Sequence, residues 1–281
     1  MSYRIVKKIV TGRQAIDGAG VHLVRVLGSG TIRDFDPFLM LDSFDSRNPD
    51  DYTAGFPFHP HRGIETITYL IEGEMEHQDS LGNRGTIHGG ESQWMTAGSG
   101  IMHQEMPMSG PRMLGLQIWL NLPQEDKMTA PRYFDIKGEM IKKVEDENAL
   151  VRIVSGEYQG HRGVSTNHIQ ASIYDITLKR GKKISIPTKE GETVFIFTIE
   201  GEAAAGGMNI PAKTAALFGE GESVTIEAPE DREARIIFLS GRPLREPVAW
   251  GGPVVMNTGE EIREAFLEMR NDSCIKHAPV A

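Results

Sequence analysis

The sequence predicts an all-β chain of two similar halves, each a β-sandwich or barrel, followed by a short C-terminal helix. Three observations carry this. Short runs rich in β-branched and aromatic residues recur along the chain, bounded by Gly, Pro or Asp clusters. Helical periodicity occurs only near the C-terminus. A strand ending in the same Glu-Gly-Glu turn appears once in each half, as ETITYLIEGE and TVFIFTIEGE.

In chain order the strand-like runs are 22–28 (HLVRVLG), 65–74, 112–122 (RMLGLQIWLNL), 171–178 (ASIYDITL), 193–202, 222–228 (ESVTIEA) and 234–241 (ARIIFLSG). A Gly-Glu-Ser turn follows the echo in each half, at Gly90 and again at Gly221, as a duplicated barrel would show. The charged stretch FDIKGEMIKKVEDEN after Pro131 reads as a linker or exposed edge. The expected division is residues 1–133, 134–241 and 242–281. In the last segment Thr258 caps a helix with Glu261 three residues on, and Ile262, Ala265, Phe266 and Met269 fall on one face.

Composition narrows the function classes. Of 281 residues, 39% are apolar and 25% charged, enough for a packed core. The net charge of −9 repels phosphate backbones and anionic lipid, which disfavours direct nucleic-acid or membrane binding. There is no apolar run of roughly 18 residues, and MSYRIVKKIV lacks the apolar core of an export signal. The one cysteine, Cys274, cannot form an internal disulfide. A soluble cytoplasmic chain is the expectation, with a monomer as the expected state.

The densest metal-competent cluster lies in FPFHPHRGIETITYLIEGE. In a strand, residues two apart share a face, so His59 and His61 project together, and Glu65 shares their parity if the strand continues. In TAGSGIMHQEMP, His103 and Glu105 are likewise two apart. Two such pairs meeting inside a barrel supply four nitrogen and oxygen ligands to one point. With no thiolate among them, the set suits Fe(II), and equally Mn, Ni, Cu or Zn. His77 and His88 lie between the two motifs, while His161 and His168 sit in a loop-like segment suited to the surface. Phe56, Phe58, Trp94, Met95, Met102, Met106 and Met108 are candidates either for packing a flat aromatic ligand or for filling the barrel.

The stretch from GFPFHPHRGIETITYLIEGE to GIMHQEMP strongly resembles the signature of the pirin family, a branch of the cupin superfamily. VRVLGSGTIRDFDPFLMLDSF and GGPVVMNTGEEIREAF extend the likeness over nearly the whole chain. The resemblance implies a bicupin, two antiparallel β-barrels of the double-stranded β-helix type. It also implies one divalent metal in the N-terminal barrel, held by His59, His61, His103 and Glu105. Iron(II) is the expected ion, with Mn, Ni, Cu, Co or Zn as alternatives. Other cupins take a carboxylate from the first motif, which here is Glu65; the pirin pattern places Glu65 beside the ligands instead. Matching Gly201 to Gly73 sets Pro187, Lys189 and Thr193 opposite His59, His61 and Glu65. Matching Gly221 to Gly90 sets Ala234 and Ile236 opposite His103 and Glu105, so the second barrel is expected to hold no metal.

The resemblance implies two functions. One is a quercetin 2,3-dioxygenase, which opens the central ring of a flavonol with dioxygen and releases carbon monoxide, with Glu105 as the catalytic base. The other is a non-catalytic, metal- and redox-sensitive protein that binds a transcription factor or metabolic enzyme.

Overall fold

In the computed structural model, which describes residues 2–166 and 168–277, the chain forms two β-rich units. One unit contains residues 14–30, 38–137 and 244 onward; the other contains the opening residues through Arg13, then 31–37 and 138–243. Each has a seven-stranded and a four-stranded sheet with the same order of corresponding strands.

In the first unit the larger sheet runs Arg132–Ile136, Ser92–Thr96, Ile64–Glu72, Met113–Asn121, Phe38–Ser46, Val21–Leu27 and Arg13–Asp17. The smaller runs Phe56–His61, Ile101–Pro107, Glu74–Asp79 and Arg84–His88. In the second unit, Thr193–Glu200 holds the place of Ile64–Glu72, and Ala234–Gly241 that of Met113–Asn121. Gly73 and Gly201 both take the left-handed conformation, at φ 105° and 76°, and turn the chain between corresponding strands. That part of the internal echo is structural.

The second match is not. The Gly90 turn leads into Ser92–Thr96 of a seven-stranded sheet, whereas the Gly221 turn leads into Ser223–Glu227 of a four-stranded one. Ser223–Glu227 pairs with Lys183–Pro187, and these two strands correspond to Ile101–Pro107 and Phe56–His61. Ala234 and Ile236 therefore do not stand opposite His103 and Glu105. The inward side chains on the corresponding strands are Ile184, Ile186, Val224 and Ile226, in facing pairs. Each such buried side chain contributes roughly 1.5–3 kcal/mol, and none can bind a metal.

The division at 133 and 241 also differs from the structure. Val6–Thr11 pairs with Thr214–Phe218 and forms the edge of the second unit's large sheet, the position Arg132–Ile136 holds in the first. Buried Arg4 fastens it there, donating to Thr188 Oγ1 at 2.8 Å, Lys189 O at 2.8 Å and Gly219 O at 2.7 Å. The charged stretch after Pro131 thus begins as an edge strand.

Residues 244–277 belong to the first unit. Ala249–Gly251 and Val254–Met256 form a hairpin, and the helix Gly259–Arg270 follows, with Thr258 and Glu261 completing a capping box. Ala265, with Ile262 and Met269, packs on Val254 and Met256. Buried Arg62 donates to Glu268 at 2.5 Å and to the Cys274 carbonyl at 3.1 Å. Lys127 Nζ donates to Gly63 O at 2.8 Å and Val255 O at 2.9 Å. Among the described residues no helix is long and apolar enough to cross a membrane.

Candidate metal centre

The strand Ile101–Pro107 alternates buried and half-buried positions, so His103 and Glu105 share its inner face as their spacing predicts. It lies between Phe56–His61, where His103 faces His59, and Glu74–Asp79, where His103 faces Asp79 and Glu105 faces His77. Cross-strand register, with the two-residue step inside His-Pro-His, brings three imidazoles together. One ring nitrogen from each of His59, His61 and His103 falls within 4.8 Å of the others.

Hydrogen bonds fix the state of two of these rings. His59 Nδ1 lies 2.9 Å from Pro57 O, and His61 Nδ1 lies 3.1 Å from Pro253 O. A carbonyl oxygen only accepts, so both Nδ1 atoms carry a proton, which leaves Nε2 of each ring turned towards the other histidines. Those Nε2 atoms are 3.1 Å apart. Burial pushes the His61 pKa down to about 3, reinforced by His59, so His61 is neutral at physiological pH. Burial also holds His103 well below the usual imidazole range, with His61, His59 and His77 adding to the effect. Neither ring nitrogen of buried His103 has a hydrogen-bond partner, a state that costs about 1–3 kcal/mol for each unmet polar group. Two facing Nε2 atoms and an unpartnered imidazole, with one ring nitrogen of each within 4.8 Å of the others, fit a divalent cation at their common point.

Glu105 is buried on the same face but outside the three-histidine group. Thr68 Oγ1 and Gln93 Nε2 both donate to its Oε1, each at 2.5 Å. Glu65 stands apart because left-handed Gly63 (φ 76°) ends the first strand, and Glu65 enters the next one to accept from Thr96 at 2.8 Å. The break removes the shared parity. Buried His77 lies against His103, with ring centroids 5.4 Å apart, and stacks on Tyr133 at 3.9 Å. His88 and His161 are exposed. His168 is half-buried.

The centre opens into a cavity of about 790 Å³. His59, His61 and Glu105 line it, with Phe56, Met40, Phe44, Trp119 and Trp250 forming apolar walls. Of the other apolar candidates, Trp94 and Met95 are buried core, whereas Phe58 and Met108 are exposed.

A family model described as Pirin matches residues 20–120, and one described as Pirin C-terminal cupin domain matches residues 173–274. The chain belongs to the pirin family. A Pseudomonas aeruginosa protein provisionally named a quercetin 2,3-dioxygenase is 41% identical over 278 residues, covering 96% of this chain and 97% of its own. Human pirin is 40% identical over 267 residues, covering 93% and 91%. A crystal structure of quercetin 2,3-dioxygenase from Acinetobacter baumannii has a TM-score of 0.89 at 30% identity, covering 97% of this chain and 99% of that one.

The pirin ligand pattern did not reveal the residues that support the site. Arg25, Asp42, Gln117, Thr68, Gln93 and Asp135 are successive register partners across six strands. They form one polar row across the larger sheet, yet are scattered over more than a hundred residues of sequence. The one signal was a polar residue inside otherwise apolar runs, as at Thr68 in ITYLI and Gln117 in LGLQIWL.

Proposed function

We propose that this pirin is a metal-dependent dioxygenase that opens the ring of flavonols such as quercetin, with His59, His61, His103 and Glu105 holding one divalent ion, Fe(II) first among the candidates. The observation that carries this reading is the three-histidine cluster opening into an aromatic-walled cavity large enough for a three-ring ligand. The relatives bearing the quercetinase name support it.

When bound, the ion supplies Lewis acidity and a path for electrons from the flavonolate to dioxygen. The chain does the rest. Pro57 and Pro253 carbonyls hold the His59 and His61 tautomers with Nε2 lone pairs inward. Thr68 and Gln93 pin Oε1 of Glu105, which leaves Oε2 as the free oxygen, and Glu105 would take the proton from the flavonol 3-hydroxyl on Oε2 only when that oxygen is not held by the ion. Trp119 and Trp250, with ring centroids 5.7 Å apart, wall the flat rings and exclude water.

The test is anaerobic purification with metal analysis, then a flavonol-plus-oxygen assay for carbon monoxide. Stoichiometric iron with release above the rate of free metal supports the enzyme; iron without turnover removes the flavonol assignment. Glu105→Gln should lower turnover far more than flavonol affinity, and equal losses would remove the base role.

A second reading is a regulator that binds a protein partner according to the state of its metal. The contact between His61 and Pro253 favours it, because a change at the ion reaches the C-terminal hairpin directly. Metal-dependent capture of one defined cellular protein, without flavonol turnover, supports this reading over the enzyme.

A further inference from the structure

We infer that the end of the cavity remote from the histidines selects planar polyphenols, with the Asp42 carboxylate accepting hydroxyl groups of the substrate's outer ring and Asp17 assisting. This rests on the flavonol reading and names the feature of the ligand that the pocket recognises.

The cavity has two polar ends. His59, His61 and Glu105 form one; Arg25 and Asp42 form the other, and Asp17, which Arg25 also binds, lies close enough to His59 and His61 to interact with their charge. Between them Gln117 continues the polar row, while Met40, Phe44, Trp119 and Trp250 supply the apolar lining. The sheet sets the separation. Asp42 faces Gln117, and Gln117 faces Thr68, whose hydroxyl holds Glu105. Two strand spacings of about 4.8 Å put Asp42 roughly 10 Å from Thr68, the residue that holds Glu105. That is the scale of a fused bicyclic core carrying one further ring, anchored by an oxygen at the metal end.

The chemistry of the remote end specifies what that ring should carry. Arg25 binds Asp42 through two bonds, Nε to Oδ1 at 3.0 Å and Nη2 to Oδ2 at 2.7 Å. The same Nη2 reaches Asp17 Oδ2 at 2.6 Å, and Asp17 Oδ1 accepts from the Gly18 amide at 2.8 Å. Each carboxylate oxygen has room for a second donor. Two carboxylates share one guanidinium, so this end carries excess negative charge. It accepts neutral hydroxyl donors and repels a carboxylate or sulfate in their place. Asp42 is almost wholly buried, and Arg25 holds it in one orientation, so a hydroxyl meets a preset acceptor.

The test is anaerobic equilibrium binding to the metal-loaded protein, read by quenching of tryptophan fluorescence. The probes are quercetin, with two hydroxyls on its outer ring, and galangin, with none there. Wild type should bind quercetin about 10-fold more tightly, as expected for hydrogen bonds to an ionised acceptor. Asp42→Asn should bring the two affinities within about 2-fold of each other through loss at quercetin. Asp17→Asn, at a half-exposed carboxylate, should narrow the gap less and guards against a folding defect in the first variant. Equal affinities in wild type, or equal weakening of both probes by the variants, overturns the proposal. The carbon monoxide assay separates the two ideas. Discrimination without turnover removes the dioxygenase reading and leaves this one; turnover without discrimination does the reverse.

Discussion

Gly63→Ala tests how tightly the metal centre depends on the C-terminal hairpin. Gly63 has φ 76°, and a Cβ there would lie 2.0 Å from the Val255 carbonyl oxygen. Both atoms belong to main chain, so the clash must push the hairpin away. The left-handed conformation alone costs about 1–2 kcal/mol for alanine. Displacement also breaks three hydrogen bonds: Val255 N–H to Arg62 O at 3.1 Å, Lys127 Nζ to Val255 O at 2.9 Å and His61 Nδ1–H to Pro253 O at 3.1 Å. At about 0.5–1.5 kcal/mol each, the total loss is about 3–6 kcal/mol. Urea unfolding measures it. Metal affinity, measured against a competing chelator, should fall about 10–100-fold as His61 loses its tautomer-fixing partner. A variant within about 1 kcal/mol of wild type, with unchanged metal affinity, would refute the reasoning.

Other consequences can be checked separately. His103→Leu should abolish metal binding yet stabilise the metal-free protein, at about 1–3 kcal/mol for each of the two unpartnered buried nitrogens it removes; thermal melts with and without metal test both halves. Thr68→Val removes a donor from Glu105 while keeping the side-chain volume, and should weaken metal binding about 10-fold by chelator competition and lower the melting temperature, because Gln117 and Gln93 lose a buried partner too. Burial raises the Glu268 pKa, but bonds from Lys276 and Arg62 outweigh it and leave the group below its ordinary value. Its contribution to stability is therefore present above the unfolded-state pKa and disappears as pH falls through the lower folded value. Melting temperature across pH 3–6 should show a loss on the acid side that Glu268→Gln reduces, with the other lowered carboxylates, such as Asp79, supplying the remainder.

The strands were legible because their β-branched runs are long and their turns carry glycine; 171–178 and 234–241 match the structural bounds. The histidines were legible because two-residue spacing survives into the register. The parity of Glu65 with His59 and His61 held only for a continuous strand, and spacing does not show that Gly63 breaks it. The Gly-Glu-Ser repeat misled because a turn motif reports a local bend and not which sheet receives the next strand. The exchange of terminal segments was invisible for a related reason. VKKIVT at 6–11 is a plausible edge strand for either half, and buried Arg4 with its acceptors decides between them. Asp42 and Gln117 were missed because their partners are neighbours across strands, where periodicity along the chain has nothing to say.

The bond from His61 to Pro253 spans 192 residues. It therefore sets an order of events during biosynthesis. When the four proposed ligands have left the ribosome, the carbonyl that fixes His61 has not yet been made. Nor have the Trp250 wall and the helix that Arg62 anchors. The proposed metal site is therefore completed only when nearly the whole polypeptide has been made.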